Sequence, residues 1–304
     1  MFLTMSSKIL YYLLIKPISL LPYFVLYGIS NFVFLVTFYG VGYRKKVIRN
    51  NINNSFPKLS EKERNKIIRQ FYMHFCDLIV ESIKNFSITS AQAKKRMRFE
   101  NIELLDEYYK NGKSVVSIGG HYGNWELFAV AVAGASKLKQ LAIYKPLSNI
   151  FFDKKMKASR GKFGLEMIPM KETKEHFEKN KDVLKTIIFG SDQWPSKPER
   201  AIWVDFLGRE TPFLFGAEKY AKEFDWPVVY CEIVREKRGH FITRYHKLTD
   251  APREEEEGVI IKKFVRLLET TIQNDAAYWL WSHKRWKKTK QEVFQADSSI
   301  NHTS

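Results

Sequence analysis

The chain has 304 residues, with 50 lysines and arginines against 33 aspartates and glutamates, so its formal net charge is +17. Hydrophobic residues make up 45 % of it, which excludes wholesale disorder, and aromatic residues make up an unusually high 15 %. The two cysteines, Cys76 and Cys231, exclude a disulfide framework and a cysteine-rich zinc module. The histidines show no metal-ligand spacing, so no metal site is expected. The positive charge favours a polyanionic partner, either nucleic acid or an anionic lipid surface.

The first predicted element is an apolar N-terminal helix. No charged side chain occurs from Pro17 to Tyr43, and a membrane-spanning helix needs about 20 such residues. The stronger basic cluster, 44–49, follows this stretch, which predicts that the rest of the chain stays on the cytoplasmic side. Pro22 and Gly28 are also compatible with a kinked helix or with a re-entrant helix that enters one leaflet only. The alternative to a membrane helix is a helix buried in the protein core. The predicted divisions are a membrane anchor (1–43), a globular domain (44–290) and a polar tail (291–304).

An amphipathic helix is predicted next, from Ser60 to Phe86. Ser60 and Glu63 match the S-x-x-E capping box that is typical of a helix start. Apolar side chains then recur at helical spacing to the end of this stretch. His74 and Cys76 lie inside the pattern, so both are interpreted as ordinary helix residues.

Strand and helix patterns alternate beyond this helix. The predicted strands are 114–118, 141–144, 166–169, 186–189, 228–234 and 241–245. The predicted helices are 124–133, 151–162, 171–184, 216–224 and 254–273. The alternation predicts an α/β fold in which a mainly parallel or mixed sheet has helices packed on its faces. The acidic run 254–257 is expected to open the last of these helices, where carboxylates favour the positive end of the dipole.

One stretch, from Ser191 to Phe215, fits neither pattern. It contains three prolines and no periodicity, so a long loop is predicted. Loops of this length in a compact domain are usually functional or disordered. The aromatic residues of this stretch favour a function.

The strongest local motif is the sequence GGHYGNWE, residues 119–126, at a predicted strand-to-helix junction. Such junctions are where α/β folds expose reactive groups. With His121 in the glycine-rich turn and Glu126 in the first helical turn, the carboxylate is expected to reach the imidazole and form a general-base dyad. Small residues such as Gly120 allow a substrate to approach the backbone. The alternative is a helix-capping histidine beside a surface glutamate.

Covalent catalysis has little support in the sequence. No G-x-S-x-G motif is present to supply a nucleophilic serine, and no motif surrounds either cysteine. The base is therefore expected to activate a hydroxyl group of the substrate itself.

Further motifs follow the His-x4-Glu pair. In chain order they are Tyr144-Lys145-Pro146 with Asn149, Arg160 with Gly164, Gly190-Ser191-Asp192-Gln193, Phe206-Leu207-Gly208 with Thr211-Pro212, and YWLWSHKRWK at 278–287. After an apolar N-terminus, this series resembles the late acyltransferases of lipid A biosynthesis, which are similar to the glycerolipid acyltransferases. The sequence departs from the family pattern at Lys145, where arginine is common, and at Ala277, where glutamine is frequent.

The resemblance implies a membrane-bound O-acyltransferase of the bacterial inner membrane, with its catalytic domain facing the cytoplasm. It implies an acyl thioester donor, usually acyl carrier protein, a lipid A precursor as the acceptor, and no cofactor. His121 would take the proton of the acceptor hydroxyl, and Glu126 would orient His121. Asp192 would either pair with Arg160 or hold another group of the site. The residues implied in substrate binding are Gly120, Tyr144, Lys145, Asn149, Arg160, Asp192 and Gln193.

Two other interpretations stay open on the sequence. The first is acyl transfer to a lysophospholipid or an aminolipid, although the F-P-E-G-T block of lysophosphatidate acyltransferases is missing. A membrane-anchored nucleic-acid-binding protein is the other, and it rests on the charge alone. The sequence carries no helix-turn-helix, zinc-finger or RNP signature, so nucleic acid is not an expected partner.

Overall fold

The N-terminal part of the fold is a chain of short helices. The computed structural model describes residues 2–301, with side chains for 5–295, so Met1 and the last three residues of the predicted polar tail lie outside the described residues. The first elements are α1 (Phe2–Leu10), a π-helical turn (Tyr11–Ile15), α2 (Lys16–Leu20), α3 (Tyr23–Leu35) and a second π-helical turn (Val36–Val41).

Pro22 breaks this segment, which is one of the outcomes that the sequence leaves open. Leu21 is extended, the conformation that a following proline imposes, and Pro22 caps α3. The stretch Tyr23–Val41 has 19 residues, and only 17 % of it is buried, so its length and composition suit a membrane span. Phe24 is 77 % exposed and Phe32 67 % exposed, which disagrees with a buried core helix.

Two helices connect this segment to the rest of the protein, α4 (Lys45–Ser55) and α5 (Glu61–Lys84). The predicted capping box at the start of α5 is confirmed. The Glu63 amide donates to Ser60 Oγ at 3.3 Å, and the Ser60 amide donates to Glu63 Oε2 at 2.7 Å. His74 and Cys76 are buried residues of this helix, as expected.

Helices and strands alternate from residue 90 onward. In chain order they are α6 (Ser90–Arg96), β1 (Met97–Phe99), α7 (Glu103–Lys110), β2 (Val115–Gly119), α8 (Trp125–Ala131), β3 (Lys139–Tyr144), α9 (Ile150–Gly161), β4 (Glu166–Pro169), α10 (Thr173–Lys179), β5 (Lys185–Gly190), β6 (Ile202–Phe206), β7 (Arg209–Phe213), α11 (Gly216–Phe224), β8 (Val228–Lys237), β9 (His240–Thr249), α12 (Val259–Asn274) and α13 (Lys290–Asn301). Short 3₁₀ turns lie at Pro198–Arg200 and Ala276–Tyr278.

The strands form a seven-stranded mixed sheet in the order β1-β9-β8-β2-β5-β3-β4. All neighbouring strands are parallel except β8 and β9, which form an antiparallel pair. The predicted α/β fold with a mainly parallel or mixed sheet flanked by helices is confirmed. The β2 and β5 strands are direct neighbours, so their carboxyl ends lie side by side.

The prediction of a long loop from Ser191 to Phe215 is wrong in its second half. There, β6 and β7 form an antiparallel hairpin. Leu207 and Gly208, with φ of 53° and 73°, are both left-handed, as a tight hairpin turn requires. The strand signal is missed because a leucine stands at the first turn position and Pro212 lies within β7. Burial of Phe206 and Phe213 in the core stabilises the hairpin nonetheless.

The acidic run 254–257 does not open α12, contrary to expectation. The helix begins at Val259, after Gly258 in a left-handed conformation with φ of 80°. A left-handed residue interrupts the helical backbone, so the acidic run stays in the preceding turns. Glu255 pairs there with Lys263 of α12 at 2.5 Å.

Candidate active site

The centre of the site lies where two adjacent parallel strands end. Gly119 of β2 and Gly190 of β5 are paired in register. His121 and Asp192 each lie two residues beyond these glycines, so the topology brings them together although 71 positions separate them. Carboxyl ends of parallel strands are where α/β proteins place ligands.

His121 and Asp192 are joined by two hydrogen bonds. The ring Nδ1 of His121 lies 2.6 Å from Asp192 Oδ1, and the His121 amide donates to Asp192 Oδ2 at 2.7 Å. Trp279 Nε1 also donates to Oδ2, at 2.8 Å. Asp192 is only 2 % exposed. The carboxylate is thus held on both oxygens, and it fixes the orientation of the imidazole.

The environment keeps Asp192 ionised. Burial by itself raises the pKa of this carboxyl. The charge of His121 and the hydrogen bonds that Asp192 accepts from His121 and Trp279 outweigh burial and lower the pKa to about 2. The pKa of His121 moves the other way. Burial, the largest single influence, lowers it, but the charge and hydrogen bond of Asp192 and the charge of Glu126 together raise it by more, so the net shift is upward.

Two glycines are required by the packing of this pair. A Cβ at Gly120 would lie 2.8 Å from Leu268 Cδ1 and 3.2 Å from Asp192 Oδ2. A Cβ at Gly190 would lie 3.2 Å from His121 Cε1. The contact at 2.8 Å is closer than Cβ atoms normally come and the two at 3.2 Å are tighter than most, so the glycines leave room for the histidine and its carboxylate partner.

The expected pairing of His121 with Glu126 is wrong, because His121 pairs with Asp192. Glu126 instead receives a two-pronged contact from Arg160 of α9, with Nη2 to Oε1 at 2.7 Å and Nε to Oε2 at 3.1 Å. The physical reason is local. Asn124 caps α8 by accepting from the Leu127 amide at 2.7 Å, and the helix then directs Glu126 toward α9.

A cavity of about 820 Å³ opens beside His121. One wall is apolar, formed by Phe128, Ala129, Ala142, Leu165, Met167, Ile188, Cys231 and Ile233. Four cationic side chains line another part, namely Lys145, Lys157, Arg160 and Lys287. The cavity combines apolar and cationic walls, the composition that suits an amphiphile with a negatively charged headgroup.

Most of the residues implied by the resemblance line this cavity. Gly120, Tyr144, Lys145, Arg160 and Gln193 do so together with His121 and Glu126, and Asp192 lies behind His121.

Asn149 is not among the residues that line the cavity. It caps α9 by accepting from the Phe152 amide at 3.1 Å, and it donates to Ser7 Oγ at 2.8 Å. The site residues expected from the sequence do not include Lys157 and Lys287, which line the cavity, or Trp279, which donates to Asp192. Trp279 and Lys287 belong to the C-terminal block 278–287, which was the available signal for them.

Neither cysteine has the environment of a nucleophile. Cys231 lines the apolar wall, and Cys76 is buried in α5. Burial raises the pKa of both thiols above its usual value. Since the thiolate is the reactive form, both side chains behave as small apolar residues.

The family described as bacterial lipid A biosynthesis acyltransferase matches residues 3–288 of the chain. A lipid A biosynthesis acyltransferase from Haemophilus influenzae is 24 % identical over 285 residues, covering 91 % of this chain and 89 % of that protein. The matched range includes the apolar N-terminal segment, the strand-end pair and the C-terminal block. The chain therefore belongs to the bacterial lipid A biosynthesis acyltransferase family and is an acyltransferase.

Proposed function

We propose that this protein moves a fatty acyl chain from an acyl thioester, carried by acyl carrier protein, to a hydroxyl group of a lipid A precursor. The observation that carries the proposal is the His121–Asp192 pair at the side of a cavity with apolar and cationic walls. The apolar wall suits the acyl chain, and the cationic residues suit the phosphates of the acceptor.

His121 is the general base of the proposed reaction. Its Nδ1–H donates to the ionised Asp192, so Nε2 is the ring nitrogen left to accept a proton. The acceptor hydroxyl gives its proton to Nε2 as its oxygen attacks the thioester carbonyl carbon. Asp192 stabilises the imidazolium that forms.

The tetrahedral intermediate then collapses without a covalent enzyme intermediate. The carbon–sulfur bond breaks, and the leaving sulfur takes the proton from His121 Nε2. The products are the acyl ester and the free thiol of the donor, and His121 returns to its neutral state. Neither cysteine takes part, since both thiols are buried with raised pKa values.

Arg160 is proposed to stabilise the negative charge that develops on the carbonyl oxygen or on a phosphate of the acceptor. Its guanidinium lines the cavity, and Glu126 holds it by accepting three hydrogen bonds from Nε and Nη2, which leaves Nη1 to donate to an anion. A planar guanidinium in a fixed orientation gives directed bonds to such an anion. Glu126 is thus a positioning residue that acts through Arg160.

The binding roles of the other cavity residues follow from their chemistry. Lys145, Lys157 and Lys287 supply further positive charge for the acceptor phosphates. Tyr144 and Gln193 offer polar atoms beside them. The apolar wall, formed by side chains of α8, β3, β5 and β8 and of the start of β4, receives the acyl chain of the donor, and the burial of that chain supplies binding free energy.

The N-terminal residues 1–43 are proposed to anchor the catalytic domain, 44–290, in the inner membrane with that domain in the cytoplasm. The support is the exposed apolar stretch Tyr23–Val41 and the basic cluster that follows it. The ring of Tyr11 also packs against Phe151 of α9 at 5.7 Å, so the N-terminal helices lie beside a helix that borders the cavity. A lipid acceptor then enters the site from the bilayer.

Reconstitution with defined substrates tests this proposal. The purified full-length protein is incubated with an acylated acyl carrier protein and a lipid A precursor, and the lipid product is analysed by mass spectrometry. We expect the precursor to gain the mass of one acyl group, and we expect His121→Ala to form no product. Product formation at the normal rate by the alanine variant would refute the mechanism. Transfer to a lysophospholipid in preference to the precursor would refute the proposed acceptor.

A further inference from the structure

A second pocket, of about 300 Å³, lies apart from the catalytic cavity. It is formed between α5 and the end of β8, and its walls include three arginines, Arg69, Arg235 and Arg238. Its volume is at the lower end of the range for small-ligand sites. None of its lining residues also lines the cavity beside His121.

The one carboxylate of the pocket is already neutralised. Asp77 accepts from Arg238 at 2.6 and 2.9 Å and from Ser30 Oγ at 2.6 Å, so its oxygens are occupied by donors. Arg238 therefore adds little net charge to the pocket. His74, also in the wall, is neutral at physiological pH because burial lowers its pKa to about 4.

The other two arginines of the pocket make no ion pair in the described part of the chain. Within residues 5–295, neither Arg69 nor Arg235 has a carboxylate within ion-pair distance. Arg235 donates to the hydroxyl group of Tyr278 and lies 5.1 Å from the centre of that ring. Both contacts orient its guanidinium without neutralising it. The pocket thus keeps a net positive charge, although the Asp275 carboxylate lies close enough to Arg235 to interact with it.

The pocket borders the proposed membrane anchor. Arg238 donates to Asn31 of α3 at 2.8 Å, and Arg69 lies 5.7 Å from the ring of Phe34 in the same helix. Next to these contacts, α3 exposes large apolar side chains such as Phe32 and Leu35. A molecule with a phosphate in this pocket can therefore place its hydrocarbon tails along α3.

We propose that this pocket binds the headgroup phosphate of an anionic phospholipid from the bilayer that holds α3. The proposal rests on the membrane attachment proposed above. Guanidinium groups match phosphate oxygens in charge and geometry, and such bonds strengthen where water is partly excluded.

The shape of the site favours a lipid headgroup over an acidic protein. The pocket is a small recess, whereas a protein partner needs a surface of about 600 Å² or more on each side. Met73 adds an exposed apolar side chain to the wall, which suits the glycerol and upper acyl region of a lipid. Free phosphate shares the same polar chemistry, and the experiment separates it from the lipid.

Native mass spectrometry of the purified full-length protein in detergent tests the proposal. Micelles contain equal amounts of dioleoyl-phosphatidylglycerol, which is anionic, and dioleoyl-phosphatidylcholine, which is zwitterionic. We expect one phosphatidylglycerol to be retained with about tenfold preference. The double variant Arg69→Gln/Arg235→Gln should lose that preference.

A second double variant controls for overall charge. Arg200 and Arg266 are exposed and lie outside both pockets. Arg200→Gln/Arg266→Gln removes the same two charges and should retain phosphatidylglycerol like the wild type. Equal loss in the two double variants would show that general charge attraction holds the lipid and would overturn the proposal.

A single variant distinguishes a loss of lipid binding from a loss of folding. Arg69 is exposed, so Arg69→Glu should leave the unfolding temperature unchanged while it lowers lipid retention at least fivefold. Unchanged retention in this folded variant contradicts the proposal. So does full displacement of the lipid by millimolar inorganic phosphate, which would make this a free-phosphate site. Binding of acyl carrier protein that disappears only in the pocket variants, with lipid retention intact, would assign the site to the carrier protein.

Failure of this inference and failure of the proposed function give different results. Lipid retention in micelles does not require acyl transfer, so His121→Ala should retain phosphatidylglycerol like the wild type. If the wild type transfers acyl chains but retains no anionic lipid, only the second site is wrong. If it retains the lipid but transfers nothing, only the proposed reaction is wrong.

Discussion

Asp192 carries the charge that the proposed chemistry needs beside His121. Asp192→Asn keeps the size of the side chain but removes this charge and favours the wrong imidazole tautomer. We expect the rate of acyl transfer to fall by about 10²–10⁴ at unchanged unfolding temperature. Steady-state assays of the purified variant measure this, and Cys76→Ser, which lies outside the cavity, is the control that should keep near-normal activity. A near-normal rate in the asparagine variant would mean that Asp192 only supports the fold.

The same variant changes the dependence of the rate on pH. His121 accepts a proton only when it is neutral, so activity falls as the pH drops through its pKa. Asp192 raises that pKa, and its replacement by asparagine should move the acid limb of the profile to lower pH. The residual activity of Asp192→Asn, measured between pH 5 and pH 9 with one donor and one acceptor, shows the direction. A shift to higher pH contradicts the assigned pair.

Arg160 differs from the other basic residues of α9 because Glu126 fixes its guanidinium. Arg160→Lys keeps the charge but loses the two-pronged contact, and we expect kcat/KM to fall at least about tenfold, or ~1.4 kcal/mol of transition-state stabilisation. Lys154 on the same helix is exposed and is absent from the cavity wall, so Lys154→Ala is the matched control. Equal, small effects of the two changes would make the basic run of α9 a general charged surface.

At the scale of elements, the paired ends of β2 and β5 set the geometry of the site. The parallel register of Gly119 with Gly190 places the following residues at one edge of the sheet. Helix α8 then begins immediately after the turn, and α9 lies beside it. The two helices bring Glu126 and Arg160 together, so strand pairing and helix packing each build one half of the site.

The capping box of α5 contributes stability without contributing to the site. Ser60→Ala removes the acceptor for the Glu63 amide, and such a loss costs about 1 kcal/mol. We expect the unfolding temperature in detergent to fall by about 2 °C, since the chain is long, with no change in acyl transfer. Thermal unfolding followed by circular dichroism measures the first effect. A loss of activity at unchanged stability would contradict this purely structural role.

At the scale of the whole molecule, the exposed face of α3 decides how the protein associates with membranes. Phe24→Lys/Phe32→Lys places two charges on that face, and charged side chains are costly within the hydrocarbon of a bilayer. The wild type should resist extraction from membranes by high salt and by alkali, whereas the variant should be released by alkali. The control Asn53→Lys/Asn54→Lys adds the same charge to α4 and should behave like the wild type. Extraction of the wild type by salt alone would show that α3 is not embedded.

Much of the fold follows from local sequence patterns. The apolar N-terminal segment, the capped helix α5 and the strands β2, β3, β4, β5, β8 and β9 agree with the patterns that predict them. These features depend on hydrophobic periodicity and caps, which act over a few residues. The hairpin of β6 and β7 was missed because its stability comes from burial of Phe206 and Phe213 against distant parts of the chain.

For the site, the sequence by itself determined that His121 lies in a glycine-rich turn at a strand end, and the ordered motifs determined the family. Only the tertiary structure decided which carboxylate holds His121. Glu126 is near in sequence but turns toward Arg160, whereas Asp192 is distant in sequence but lies on the neighbouring strand. Residues five positions apart on either side of a helix start point in different directions, while strand register aligns residues from anywhere in the chain. The partner of His121 is therefore set by sheet pairing, which no local pattern records.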